Sequence, residues 1–269
     1  MGASRQSLLW QIDHPDLSAP SYLFGTMHLR RHLHLPILEL ARERLLSCTH
    51  FVAELDLSES QHLSVEKAAS KDWTKELTPR KFEKLARIIR KTTRIPSEQL
   101  ALYPPLFLVN ILSSRILVPV GRPFHLDQFL WDLAVDAGKS TGGLETQEEQ
   151  MAIYTAYSNK EQLQSLVKMT TNISAYRREM LRMNERYEQG AIQQLYQSTR
   201  KSLGGSRNAL LFDRNRLMAN RLAALLMEKT VFAGVGVAHL PGEKGMLRIL
   251  KHKGFKLRPI LPAERPEIP

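Results

Sequence analysis

Cysteine is nearly absent: Cys48 is the only one among 269 residues, so the chain cannot form a disulfide within itself. This excludes the small secreted folds that disulfides hold together. The leucine-rich surroundings of Cys48 indicate a core residue rather than a nucleophile. Long apolar runs are missing too, since the longest, residues 104–109, is far too short to span a bilayer. We therefore expect a soluble protein that is stabilised by a hydrophobic core.

The sequence also lacks recognisable targeting segments and linkers. Its first seven residues have no apolar stretch of the kind found in signal peptides. The chain is expected to be cytoplasmic as it stands, or exported if a signal has been removed, so its compartment stays open. No Pro-, Gly- or Ser-rich linker divides it, and its 43% hydrophobic and 24% charged residues are typical of folded proteins. We predict a single domain over residues 8–261.

Acidic residues are in deficit, with 27 against 38 basic residues and a net charge of +11. Such a charge raises nucleic acid, anionic membranes and acidic substrates as partners. The cations of residues 80–94, however, lie opposite the apolar stripe of a predicted helix, and those of 177–186 alternate with glutamates. This pattern favours solvated basic faces, and no finger motif or aromatic platform accompanies it. The charge distribution therefore argues against a nucleic-acid partner, while a peptide or small-molecule substrate and a homodimer are left open.

Common catalytic motifs are absent as well, since no P-loop, G-x-S-x-G or H-E-x-x-H occurs. What is present is a repeated turn, Gly25-Thr26-Met27-His28 and Gly236-Val237-Ala238-His239. Each turn follows a strand pattern and precedes a Pro-containing turn, a helix and another strand. The matching order indicates a degenerate internal duplication. We predict an α+β fold in which duplicated strand–Gly-x-x-His–helix–strand units form a central mixed sheet surrounded by helices.

The hydrophobic pattern between and around the two turns predicts the remaining elements. Strands are expected at residues 8–12, 22–26, 50–56, 140–145, 230–235 and 255–260. Helices are expected from Pro36 to Leu45 and at residues 79–94, 96–103, 105–118, 126–137, 147–183, 185–201, 208–227 and 246–250. The helices between the two units would cover the faces of the sheet.

His28 and His239 are the first candidate site residues. A glycine at a strand end lets the backbone approach a ligand closely, and open sheets bind ligands at the carboxyl ends of their strands. Neutral imidazole is the commonest metal ligand in proteins, so two converging histidines predict a site for a divalent metal ion. The alternative is a pair of turn histidines with a structural role.

Three charged residues complete the predicted site. Glu54 interrupts an apolar strand, where a carboxylate without a partner is costly; it is a ligand, a general base or a solvent-facing residue. Glu145 ends a strand and is a second carboxylate or a helix cap. Arg214 and Asn215 fall on the apolar stripe of a helix, so Arg214 needs a partner such as Glu145 or Glu54, or a substrate oxyanion. A structural ion pair is the alternative for Arg214.

The other histidines carry no comparable signal. His32 and His34 follow His28 closely but read as loop residues, because nothing in the sequence fixes their geometry. No spacing pattern includes the remaining five: His14, His50, His62, His125 and His252.

The residues around the two turns resemble a known family. Tyr22-Leu23-Phe24-Gly25-Thr26-Met27-His28 is similar to the YLFGTxH opening of the TraB/GumN family, whose animal relatives are the Tiki proteins. Further blocks resemble that family in the same order: Val52–Asp56, Leu126–Asp127, Gly142–Thr146, Asp213–Asn215 and Gly234–Leu240. The resemblance extends from about residue 9 to residue 260. The basic, His-rich stretch 30–34 departs from the pattern.

The resemblance implies a duplicated α+β fold with both turns in one cleft and, for the Tiki branch, a divalent-metal-dependent protease. We therefore expect a metal-dependent hydrolase for peptide or amide bonds, with Mn, Co or Zn held by His28 and His239. Glu54 would be a ligand or general base, Glu145 a second carboxylate, and Arg214 the group that steadies an oxyanion. More distant relatives leave two alternatives: a metal-independent esterase-type hydrolase with histidine as general base, and a non-catalytic haem- or metal-binding protein.

Overall fold

The computed structural model describes residues 6–29, 35–58, 72–117, 124–156 and 158–262. Its strands are β1 Leu9–Asp13, β2 Ser21–Thr26, β3 His28–Leu29, β4 His50–Leu55, β5 Phe124–His125, β6 Ser140–Glu145, β7 Val231–Gly236 and β8 Lys256–Ile260. Its α-helices are α1 Pro36–Ser47, α2 Pro79–Thr93, α3 Pro105–Leu117, α4 Leu126–Asp136, α5 Gln147–Ala156, α6 Asn159–Thr171, α7 Ile173–Glu188, α8 Ile192–Leu203, α9 Arg214–Leu226 and α10 Met246–His252. The predicted α+β class is confirmed.

Six strands form one mixed sheet in the order β6-β4-β7-β2-β1-β8, and β3 and β5 form a separate short pair. The neighbours β6, β4, β7 and β2 are parallel, whereas β1 is antiparallel to both β2 and β8. Every residue of β2 is buried, and so are the first five of β7, because helices cover both faces of the parallel part. The six predicted strands are found with ends within one residue of those expected.

The two Gly-x-x-His units interleave in the sheet. Strand β2 of the first unit pairs with β7 of the second, and β4, which ends the first unit, lies on the other side of β7. The carboxyl ends of β2 and β7 are therefore neighbours, and both turns start from one edge. The antiparallel strand β1 separates β2 from β8, which breaks the symmetry of the two units.

Several helix boundaries differ from the prediction. The segment 147–183 is three helices rather than one, because the side chains of Ser158 and Asn172 cap the first turns of α6 and α7. Helix α7 continues to Glu188, past the expected break, and Gly190 then turns the chain with a φ of 66°.

Two further segments were expected to be α-helical and are not. Residues 97–102 form a 3-10 helix, here called η1, and residues 208–213 form a π-helical turn that leads into α9. Pro96 and Pro104 bracket η1 and leave room for little more than two short turns.

The hydrophobic core has two parts. The larger part fills both faces of the sheet, where Phe51, Phe232 and Trp131 are in contact, and it includes the buried Cys48. Burial raises the pKa of the Cys48 thiol to about 12, which agrees with its interpretation as a core residue. The smaller part lies among α2, α3 and α6 and is centred on Trp73. The single-domain assignment remains a prediction.

No helix within the described ranges is both long and apolar enough to cross a membrane. His32, His34 and His62 lie outside the described residues, as does the whole basic stretch 30–34.

Candidate functional site

Three strand ends at one edge of the sheet carry the polar cluster. Glu54 lies near the end of β4, Glu145 is the last residue of β6, and His239 follows β7 in a single 3-10 turn, Val237–His239. Because β4, β6 and β7 are parallel neighbours, these side chains meet at their common carboxyl edge. Arg214, the first residue of α9, reaches the same place from the adjoining helix.

Arg214 holds the two glutamates together. Its Nε and Nη2 donate to Glu145 Oε1 and Oε2 over 2.8 and 2.6 Å, and Nη2 also donates to Glu54 Oε2 over 2.6 Å. Because Arg214 lies on the apolar stripe of its helix, the sequence predicted that it needs a partner such as Glu145 or Glu54. In the structure it pairs with both. One guanidinium faces two carboxylates, so the three side chains together carry one negative charge. The catalytic roles assigned to them remain predictions.

Glu54 also receives a backbone hydrogen bond from the second Gly-x-x-His turn. The amide of Gly236 donates to Glu54 Oε1 over 2.6 Å. Burial by itself would raise the pKa of Glu54, but Arg214, His239 and this amide outweigh it and lower the pKa to about 2. Glu54 is therefore ionised throughout the physiological range.

The glycines of the two turns are required by close approach. A Cβ at position 236 would lie 2.9 Å from Glu54 Oε1 and would push the carboxylate away. A Cβ at position 25 would lie 2.8 Å from Leu240 Cδ1 and 3.1 Å from Val237 Cγ2. The first turn thus packs directly on the second, and the second packs on Glu54, which explains why both begin with glycine.

Asn215 fixes the orientation and the tautomer of His239. The Asn215 amide nitrogen donates to the Lys244 carbonyl over 2.7 Å, so its Oδ1 must accept the hydrogen bond of 2.6 Å from His239 Nδ1–H. The lone pair of His239 therefore lies on Nε2, 3.6 Å from Glu54 Oε1. Burial lowers the pKa of His239 to about 4, so the ring is neutral near pH 7.

Asp127 and Tyr187 contact the first Gly-x-x-His turn, although the sequence analysis did not include them among the candidate site residues. The Thr26 hydroxyl donates to Asp127, whose pKa rises to about 6 because of burial and the nearby Glu54 charge. The Tyr187 hydroxyl donates to the Gly25 carbonyl over 2.6 Å, and burial together with Asp127 raises its pKa. The Leu126–Asp127 block of the family pattern was a signal for Asp127, whereas nothing in the sequence marked Tyr187.

His28 is described only through its backbone. It begins β3 and pairs with His125 of β5 in antiparallel register, two residues after the end of β2. Its main chain therefore continues from the strand that lies beside β7. Its side chain lies outside the described part of the structure, so the convergence of His28 and His239 on one site remains a prediction.

A cavity of about 550 Å³ opens in front of the cluster. Glu54, Arg214 and His239 form its wall on the sheet side. The opposite wall comes from α3, α6, α7 and α8 and is mostly leucine and uncharged polar side chains, among them Asn110, Ser113, Gln162, Tyr176 and Thr199. Glu54 and Arg214 are thus open to a ligand of substantial size, whereas Glu145 does not line the cavity.

Two of the described side chains carry donor atoms at a spacing that suits a metal ion. No group of three or more His, Cys, Asp or Glu side chains within them is spaced to hold a metal ion. His239 Nε2 and Glu54 Oε1 are 3.6 Å apart, close to the roughly 3.4 Å expected for two ligands about 2.1 Å from a tetrahedral ion. These two donors fit a divalent ion, provided that a third ligand comes from beyond the described side chains.

The comparison with protein families gives a match over nearly the whole chain. The model of the TraB/PrgY/gumN family matches residues 8–259, which is nearly the whole chain and includes both Gly-x-x-His turns and all the residues of the polar cluster. Comparisons with curated proteins and with solved structures give no match. The chain therefore belongs to the TraB/PrgY/gumN family.

Proposed function

We propose that this protein is a hydrolase of peptide or amide bonds that uses a divalent metal ion, Mn, Co or Zn, at the sheet edge. The observation that supports this proposal best is the neutral His239, whose Nε2 lone pair is held by Asn215 next to the ionised Glu54. A neutral imidazole and a carboxylate are ligands of catalytic zinc sites, and His28 would be the third ligand.

The residues divide the work as follows. His239 Nε2, Glu54 Oε1 and His28 would hold the ion, which would lower the pKa of a water molecule to about 7 and so supply a nucleophile. Asn215 would keep His239 in the required tautomer, as hydrogen-bond partners of metal-binding histidines do. The cavity of about 550 Å³ beside the cluster offers room for several residues of a peptide substrate.

Arg214 would bind the oxyanion or a substrate carboxylate. Its Nε and Nη2 are engaged by Glu54 and Glu145, but its Nη1 makes no hydrogen bond to any described residue. Arg214 lines the cavity, so the hydrogens on Nη1 are available to a ligand there. Glu145 is buried behind the guanidinium and would act as a positioning residue.

Metal content tests the proposal directly. We expect near-stoichiometric Mn, Co or Zn in the purified protein by inductively coupled plasma mass spectrometry, and loss of that metal in His28→Ala/His239→Ala. The control is His252→Ala, which removes an exposed histidine and should keep the metal. Hydrolysis of a quenched fluorescent peptide library should follow metal content. Full turnover by the double variant would refute the proposal.

A second candidate is hydrolysis without metal, in which His239 Nε2 is the general base. The observation that favours it is the full engagement of Glu54 and Glu145 by Arg214, which already neutralises part of their charge. This candidate predicts turnover that is unaffected by chelators and is abolished in His239→Gln. The metal-dependent proposal predicts loss of turnover on chelation and recovery when the ion is restored.

A further inference from the structure

Helix α2 carries a line of cations on its outermost surface. Its buried face consists of Leu85, Ala86 and Ile89. At 100° per residue, Arg80, Lys84, Arg87 and Lys91 project directly opposite that face, at spacings of four, three and four residues. All four are exposed, and together they span roughly 16 Å along the helix. We call these four residues the basic ridge.

No residue that the structure describes neutralises the ridge. None of its four side chains takes part in a salt bridge or a hydrogen bond with any described residue. Lys81, Arg90 and Arg94 flank it and are also exposed, whereas Glu83 is the single acidic residue of the helix. Elsewhere exposed cations do find partners, as Arg182 does with Glu179 on α7. Such a concentration of unpaired charge attracts a polyanionic surface.

We propose that the basic ridge binds the surface of an anionic lipid bilayer. A straight, convex line of long cationic side chains can touch a plane with all its members at once. Apart from Pro79, the exposed positions of α2 hold only Arg, Lys and Glu, with no amide to read bases and no aromatic ring to stack on them. In addition, η1 packs against α2 and ends in Leu102, which is 46% exposed. Basic residues beside an exposed apolar side chain are typical of membrane-surface segments.

The position of the ridge connects it to the cavity. Helix α2 packs against α3, and α3 contributes Leu106, Val109 and Ser113 to the helical wall of the cavity. Binding through α2 therefore holds that wall near the bilayer. The contact is electrostatic and reversible, since each Lys or Arg near an anionic surface strengthens binding only about fivefold.

Sedimentation with vesicles tests the proposal. The full chain is mixed with lipid vesicles at physiological ionic strength. One set of vesicles is pure phosphatidylcholine, and in the other about one-third of the lipid is phosphatidylserine. The ridge variant is Arg80→Gln/Lys84→Gln/Arg87→Gln/Lys91→Gln. The control variant, Arg177→Gln/Arg178→Gln/Lys251→Gln/Lys253→Gln, removes the same charge from exposed positions on other helices and on the turn after α10. Circular dichroism and Tm establish that both variants are folded.

We expect the wild type to bind only the phosphatidylserine vesicles. The ridge variant should show a partition coefficient about 100-fold lower, and the control variant a change below about threefold. Equal losses in both variants would mean that net charge rather than the ridge is responsible, and would overturn the proposal. Tighter binding to a DNA or RNA duplex than to the vesicles, lost in the ridge variant, would also overturn it and assign the ridge to nucleic acid.

Discussion

The two walls of the cavity are built in different ways. On the sheet side, Glu54, Glu145 and His239 lie at or just after strand ends, Arg214 joins them from α9, and each is held by at least one hydrogen bond to another element. On the helical side, the wall consists mostly of leucines and uncharged polar side chains, and helices α3 and α6 behind it pack into a separate hydrophobic cluster. The difference indicates that the sheet edge fixes the geometry required for chemistry, while the helices shape the space for a ligand.

Arg214 provides the strongest test of this contrast. Arg214→Met leaves Glu54 and Glu145 buried without a cation, so we expect a loss of about 3–5 kcal/mol in the free energy of unfolding and no turnover. The matched control is Arg221→Met, about two helix turns further on α9, where Arg221 forms a bidentate pair with Glu149. That pair is 38% and 34% exposed, against 17% and 1% for Arg214 and Glu145, so its loss should cost about 1 kcal/mol or less. If both variants lost the same free energy of unfolding in urea, the buried cluster would be no more important for stability than an exposed ion pair, which would contradict this contrast.

Gly236 tests the close approach of backbone and carboxylate. Gly236→Ala places a methyl group 2.9 Å from Glu54 Oε1, and we expect a loss of about 1–3 kcal/mol together with loss of metal binding. Gly205→Ala is the control, because a Cβ there meets nothing within 4 Å. Thermal unfolding and metal titration of the two variants should differ clearly. Similar behaviour would show that the site tolerates a displaced Glu54.

Asn215 tests the orientation of His239. Asn215→Ala removes the acceptor of His239 Nδ1–H, so we expect metal affinity to fall about 10–100-fold in calorimetric titration. Asn215→Asp keeps an acceptor at that position and should retain more of the affinity than Asn215→Ala. An unchanged affinity in Asn215→Ala would show that the cavity wall alone positions the ring.

The pH dependence of stability is the subtlest test. The pKa of Asp127 is raised in the folded state, to about 6, from 3.8. Its contribution to stability is therefore present at low pH and is lost as the pH rises through about 6. Asp127→Asn, which cannot ionise, should raise Tm relative to the wild type more at pH 8 than at pH 5. Asp132→Asn, on the exposed side of α4, controls for the loss of one charge. A gain independent of pH would contradict the assignment.

The sequence predicted the strands well because their apolar runs are local and continuous. It also selected Glu54, Glu145 and Arg214, because a charge within an apolar pattern needs a partner wherever the chain folds. The helix boundaries were less predictable, since the caps at Ser158 and Asn172 interrupt a continuous apolar pattern. Tyr187 could not be found, because its hydrogen bond to Gly25 joins residues that are 162 positions apart.

The sequence by itself determined the α+β class and the two Gly-x-x-His turns. It also identified Glu54, Glu145 and Arg214 as charged residues that need a partner of opposite charge. Only the tertiary structure decided that one guanidinium serves both glutamates, that the second turn donates its own amide to Glu54, and that Asn215 orients His239. The physical reason is range. Hydrophobic periodicity depends only on residues that are close in the sequence. Each hydrogen bond of the site, in contrast, joins elements whose distance and angle depend on how the whole sheet and its helices pack.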